Sequence, residues 1–158
     1  MMAPVSTHAE DDGEPAPLTL YLVKRLELVI RALLDDALRP RGLTTLQYTA
    51  LTVLRNRGAL SSAQLARRSF LRPQTMHEMV MTLEKRGLIS RQSQETNKRV
   101  LLATLTDAGR RLLDDCAPAV QELEDVLLDG LGERAVFRAD LQHGIAALAE
   151  LADARRTD

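Results

Sequence analysis

Between residues 61 and 109 the periodicity of the chain changes twice, and that succession leaves few folds open. Ser61-x-x-Gln64 is a capping box, in which a serine hydroxyl and a glutamine side chain satisfy each other's backbone amides, so it starts a short helix over Ser62–Arg68. Pro73 opens a second helix at the one position where its missing N–H costs nothing. That helix is predicted to run to Lys85-Arg86 and to stop at Gly87. Leu88-Ile89-Ser90-Arg91 and Arg99–Leu105 then read as two strands around the polar turn Ser93–Lys98. Two short helices followed by a ribbon with a Lys98-Arg99 tip have the parts of a winged helix-turn-helix, and its natural partner is duplex DNA.

The flanks are helical. Leu18–Leu38 forms one long helix, about 30 Å at the usual rise, ended by Arg39-Pro40-Arg41-Gly42. Leu18, Leu22, Leu26, Ile30, Leu33 and Leu34 make a stripe, but Leu20, Val23, Leu28 and Val29 fall elsewhere. One small core cannot cover that surface, so a second buried face is implied, most simply a partner subunit. A second capping box, Thr44-x-x-Gln47, opens a helix over Thr45–Asn56 that ends near Gly58. Thr106-Asp107 caps a long helix carrying Leu112, Leu113, Cys116, Val120, Leu123, Leu127 and Leu128. Pro118 lies inside it and is expected to kink or break it, at a cost of roughly 3 kcal/mol. A last helix is predicted from Glu133 to about Ala154. The expected fold is mainly α with a small β-wing, a winged helix-turn-helix plus a helical dimerisation bundle. Its divisions are an acidic, disordered N-terminal tail at 1–17, a dimerisation helix at 18–43, a DNA-binding domain at 44–109 and C-terminal dimerisation helices at 110–158.

The charge of the chain supports a nucleic-acid partner through its distribution. Residues 1–54 hold 5 Lys/Arg against 7 Asp/Glu and residues 111–158 hold 5 against 11, whereas residues 55–110 hold 11 against 4. A central +7 between acidic flanks is the pattern of one module facing phosphates, even though the net charge is −1. A single cysteine, Cys116, can make no internal disulfide, fits a reducing compartment and reads as an inert core thiol. Met1–Pro17 has neither the basic start nor the apolar run of a leader, and no window approaches the ~18 apolar residues of a membrane span. A cytoplasmic location is expected. No Gly-rich phosphate loop, metal-spaced His/Cys set or Ser/His/Asp cluster is present, so neither an enzyme nor a bound cofactor is expected.

A recognition helix reads bases with its first turns. Opposite the apolar set Met76, Met79, Val80 and Leu83 lie Arg72, Gln74, Thr75, His77 and Glu78. Glutamine can bond adenine through two hydrogen bonds, threonine can meet a thymine methyl and glutamate can accept from cytosine N4. Gln74 and Thr75 can equally reach phosphates at the positive end of the helix. Glu78 is the awkward member, because phosphates repel it; orienting Arg72 or Arg91 is its other possible task. His77 has no ligand partner at i±3 or i±4 and reads as a neutral polar contact. Arg99, beside Lys98 at the ribbon tip, suits the concentrated negative potential of a minor groove.

The order and spacing of several short motifs resemble the MarR family of winged-helix transcription regulators, over residues 18 to 153. The carriers are Leu65-Ala66, Pro73-Gln74-Thr75, Leu83-Glu84-Lys85-Arg86-Gly87-Leu88-Ile89, Asn97-Lys98-Arg99-Val100 and Leu105-Thr106-Asp107-Ala108-Gly109-Arg110. The resemblance implies an obligate homodimer, joined by its first and last helices and bound to a pseudopalindromic operator. It matches Arg99 to the wing arginine of the family. Asn97 stands where the family usually carries an Asp that steadies this arginine. Many members are repressors released by small anionic or phenolic ligands. Here Tyr21 and Arg25, one helical turn apart, together with Tyr48 could hold an aromatic carboxylate. The competing reading makes both tyrosines core or interface residues. The family also has a peroxide-sensing branch with a cysteine near the start of the first helix, and this chain has none there. A rival function remains: a winged-helix dimer acting through protein contacts with weak DNA binding, which Asn97 and Glu78 keep open.

Overall fold

The computed structural model describes residues 18–157, so the acidic tail expected at 1–17 lies outside the described residues. The helices are α1 (Thr19–Leu38), α2 (Thr45–Arg57), α3 (Ser62–Arg68), α4 (Pro73–Lys85), α5 (Asp107–Leu128) and α6 (Arg134–Thr157). The strands are β1 (Leu60–Ser61), β2 (Ile89–Ser93) and β3 (Leu101–Leu105). The three strands form one antiparallel sheet in the order β1-β3-β2.

Both capping boxes are formed. Thr44 Oγ1 accepts from the Gln47 amide and Ser61 Oγ from the Gln64 amide, each at 3.2 Å, and each glutamine returns a bond to its capping residue. A cap of this kind is worth about 1 kcal/mol, enough to decide the start of a seven-residue helix such as α3. Gly87, at φ +71°, lets the chain leave α4 and turn into β2.

The core lies beneath the helix-turn-helix. Leu38 from α1, Leu51 and Leu54 from α2, Leu65 from α3 and Met76, Val80 and Leu83 from α4 meet Ile89, Ala103 and Leu105 of the sheet. Leu113 and Cys116 of α5 close it from the far side. Burial of this type contributes roughly 1.5–3 kcal/mol per large side chain. Cys116 is fully buried, and desolvation holds its thiol above the ordinary value, so it is a packing residue.

Polar clamps set the angles between the layers. Asp35 of α1 accepts from the Thr45 amide at 2.8 Å and the Thr45 hydroxyl at 2.7 Å, pinning α1 to the first turn of α2. The same two bonds hold the Asp35 carboxyl below its ordinary range. Arg86, at the end of α4, donates to the Gly42 carbonyl at 2.9 Å and so ties α4 to the corner between α1 and α2.

Some features depart from the sequence reading or go beyond it. The strand β1 is an addition: Leu60 and Ser61 pair with Ala103 and Leu102. Ser61 both ends this strand through its backbone and caps α3 through its side chain, which hides a two-residue strand from any periodicity. Pro118 does not break α5, which continues to Leu128. Its ring sits on the exposed face, where water can take the freed carbonyl of Asp114, while Leu113, Cys116 and Val120 keep both halves packed. Phe70, an aromatic residue of a type that suits a core, is 65% exposed and adopts φ +52° in the turn between α3 and α4.

Gly109 is the tightest joint. Its amide bonds Thr106 Oγ1 at 3.1 Å, Thr106 donates to the Gly87 carbonyl at 2.7 Å, and a Cβ at 109 would lie 2.2 Å from the Leu88 carbonyl oxygen. Gly109→Ala should therefore destabilise the protein by about 3 kcal/mol. A thermal melt should show a Tm lowered by roughly 6–12 °C, and a drop under 2 °C would mean that α5 can simply shift away.

Candidate nucleic-acid interface

Burial of Met76, Val80 and Leu83 turns the other face of α4 outward. Gln74, Thr75, His77 and Glu78 are all exposed, as is Arg72 at the N-cap, so the structure brings these five together on one surface. Unlike α2 and α3, α4 has no side-chain cap, and its first amides remain available to an anion from outside. Pro73 at the first position leaves one fewer amide to satisfy there.

Glu78 has a different partner from either expected arginine. Gln74 Nε2 donates to Glu78 Oε1 at 3.0 Å, one helical turn away. Arg91 is instead bound to Glu84, through Nε at 2.9 Å and Nη2 at 2.5 Å, and it holds the Glu84 carboxyl below its ordinary range. That pair fastens the last turn of α4 to β2 and fixes the angle between recognition helix and wing.

The wing tip is a closed turn. Gln94 donates to the Val100 carbonyl at 2.9 Å, Val100 to Asn97 at 2.9 Å and Asn97 to Gln94 at 3.2 Å. The Asn97 side chain accepts from the Arg99 backbone amide at 3.1 Å. An amide oxygen accepts this bond in place of a carboxylate, so the missing charge at 97 does not leave the tip unsupported. Lys98 and Arg99 therefore lie in the turn itself, ahead of β3, and both are exposed.

The basic block separates into two groups. Arg55, Arg86, Arg91 and Arg110 are engaged with Asp114, Gly42, Glu84 and Asp107. Arg57, Arg67, Arg68, Arg72, Lys85, Lys98 and Arg99 have no side-chain partner among the described residues. Of these, Arg67 and Arg68 in the last turn of α3 were not singled out from the sequence. Their signal was the paired arginine immediately before the turn. Unpaired guanidinium groups beside an uncapped helix start are the chemistry of phosphate contact.

The proposed effector residues are less concentrated. Tyr21 and Arg25 stack, with the guanidinium carbon 5.8 Å from the ring centroid, on an exposed face of α1. Tyr48 is half-buried against the core.

The sequence model of the MarR family matches residues 43–101, which contain α2, the helix-turn-helix and most of the wing. A helix-turn-helix transcriptional repressor of Mycobacterium tuberculosis is 39% identical over 100 residues, covering 63% of this chain and 71% of that protein. Among solved structures, CouR from Rhodococcus jostii bound to p-coumaroyl-CoA superposes with a TM-score of 0.72 at 25% identity, over 82% of this chain and 90% of CouR. The apo form of MarR from Escherichia coli gives 0.69 at 24% identity, over 85% of this chain and 98% of that one, a likeness of fold.

A wing arginine in a minor groove makes one charge contact per half-site. Arg99→Ala should weaken duplex binding and reduce the slope of log affinity against log salt by about one unit per half-site, so by about two for a dimer on both. Anisotropy titrations at several salt concentrations measure both, and an unaltered slope would place the wing off the DNA.

Proposed function

This chain belongs to the MarR family, a family of DNA-binding transcription regulators and not of enzymes, and from that membership we propose that it acts as a homodimeric, ligand-responsive repressor on a pseudopalindromic operator in the cytoplasm. The observation that carries the DNA surface is the uncapped start of α4 among arginines that have no partner among the described residues. Recognition rests on Arg72, Gln74, Thr75, His77 and Glu78 in the major groove and on Lys98 and Arg99 in the minor groove. The units read as a dimerisation helix at 18–43, a DNA-binding domain at 44–109 and C-terminal dimerisation helices from 110 onward. Among the described residues no helix is long and apolar enough to cross a membrane.

The dimer is supported by unburied apolar surface. Leu20, Leu22, Val23, Leu28 and Val29 of α1 are exposed, as are Val136, Leu141, Ile145, Leu148 and Leu151 of α6, which has no buried residue at all among those described. An apolar cleft of about 290 Å³ between α1 and α5 is lined by Leu26, Ile30, Leu33, Leu123 and Leu127. Surfaces of this extent on a lone chain favour association. Two-fold symmetry then requires half-sites about one helical turn, ~34 Å, apart.

The similarity to CouR, which was solved with an aromatic acyl thioester, supports an aromatic or anionic effector. Tyr21 and Arg25 are its proposed contacts on α1; Tyr48, the third residue proposed, lies near the Asp35–Thr45 joint, about 15 Å along α1 from Arg25.

Two measurements test this reading. Selection from randomised duplexes should enrich a palindrome bound by a dimer, with affinity falling steeply as salt rises; enrichment of no sequence would sink the proposal. For the effector, Arg25→Ala should weaken binding of p-coumarate or its thioester at least tenfold by calorimetry. Equal affinity in the two proteins would move the effector site elsewhere.

A further inference from the structure

We propose that Glu78, held in place by Gln74, is a specificity-determining residue: on the strand it faces, it admits cytosine or adenine and excludes guanine and thymine. The inference rests on the reading of α4 as the recognition helix and deepens it.

Glu78 is exposed, and among the described residues its side chain is bound only by Gln74. Of the two arginines the sequence offers it, Arg91 is engaged by Glu84 and Met81 Sδ, the latter at 3.0 Å, and Arg72 does not bond it. An ionised carboxylate accepts hydrogen bonds and donates none. This fixes the amide of Gln74 without ambiguity: its NH2 must face Glu78, because its carbonyl oxygen would be repelled. One Gln74 N–H is thereby committed, while the second N–H and Oε1 remain for the groove. Glu78 keeps its other oxygen, which bears negative charge and can only accept.

Such a group discriminates strongly between base edges. Guanine presents O6 and N7 in the major groove and thymine presents O4, all of them acceptors that repel a carboxylate. Cytosine presents an amino group at N4 and adenine one at N6. Every base pair carries one of these amino groups, but on one strand only. The carboxylate therefore reports which way round a pair lies and not merely its composition. Gln74 retains the donor and acceptor that match N7 and N6 of adenine. Their bonded tips lie 3.0 Å apart, close to the roughly 3.4 Å rise of a base pair, so the two can address neighbouring pairs. Phosphate contacts by the unpartnered arginines bring α4 to DNA of any sequence, and the carboxylate penalises the wrong ones. This accounts for an anionic residue in the middle of a cationic surface.

The test is selection from randomised duplexes with the full chain and with Glu78→Gln and Gln74→Ala, followed by competition binding on the enriched operator. The wild type should show one position per half-site confined to cytosine or adenine on one strand, with roughly a tenfold to hundredfold loss for guanine or thymine. Glu78→Gln, which gains donors for guanine O6 and N7, should lose most of that discrimination and bind the guanine operator at least tenfold more tightly than the wild type does. Gln74→Ala should lower discrimination at the same position as well as at its own. If Glu78→Gln enriches the same base at every position as the wild type, Glu78 does not read DNA and the assignment is wrong. If the wild type enriches no duplex, the recognition-helix reading itself falls, and this assignment with it.

Discussion

Burial of Met76, Val80 and Leu83 fixes the rotation of α4 about its own axis, and the rest of the surface follows from that rotation. A helix of 13 residues with one apolar stripe has a single way to satisfy the core, so Gln74, Thr75, His77 and Glu78 have no freedom to face anywhere but outward. The polar clamps do a different task. Their energy is modest beside that of the core, about 1.5–3 kcal/mol for a hydrogen bond to a charged group, but they remove the sliding and tilting that a greasy contact tolerates. Arg86 to Gly42 and Glu84 to Arg91 hold one end of α4 between the corner of α1 and α2 and the first strand of the wing. The opposite end is left uncapped, with its first amides free to meet an anion.

This division of labour resolves the charge of the chain. Counting residues shows a basic centre, but four of its cations are occupied with the protein's own carbonyls and carboxylates. The remaining seven, at the end of α2, on α3, along α4 and at the wing tip, have no partner among the described residues. Non-specific attraction scales with that smaller number and not with the total. Against it stands Glu78, whose carboxylate opposes close approach unless a base amino group receives it.

What was legible in the sequence was what is decided locally. The two capping boxes, Pro73, Gly87 and Thr106 set helix ends through contacts within four residues, and each element begins or ends where they place it, to within a residue or two. Features settled by distant partners were not legible. The strand β1 exists because Leu60 and Ser61 meet Ala103 and Leu102, some forty residues on. Phe70 looks like a core residue by type, yet the turn joining α3 to α4 leaves it outside at positive φ. Pro118 would break an isolated helix, but packing on both sides and an exposed ring let α5 continue. At the candidate interface the residue types on α4 and at the wing tip were readable from spacing; which arginines were already occupied, and that Glu78 answers to Gln74, needed three dimensions.

The Asp35–Thr45 joint turns α1 into a lever. In the proposed dimer the front of α1 is clamped against the partner, while its far end carries α2 and, through Gly42 and Arg86, the recognition helix. A rod about 30 Å long that tilts by about 5° moves its tip by nearly 3 Å, close to the roughly 3.4 Å between successive base pairs. A molecule wedged among the dimer helices thus has no need to touch the reading surface or to unfold anything. In that proposed dimer, a rearrangement the size of a single methyl group at the fulcrum, magnified along α1, would put the two reading heads out of step with the double helix.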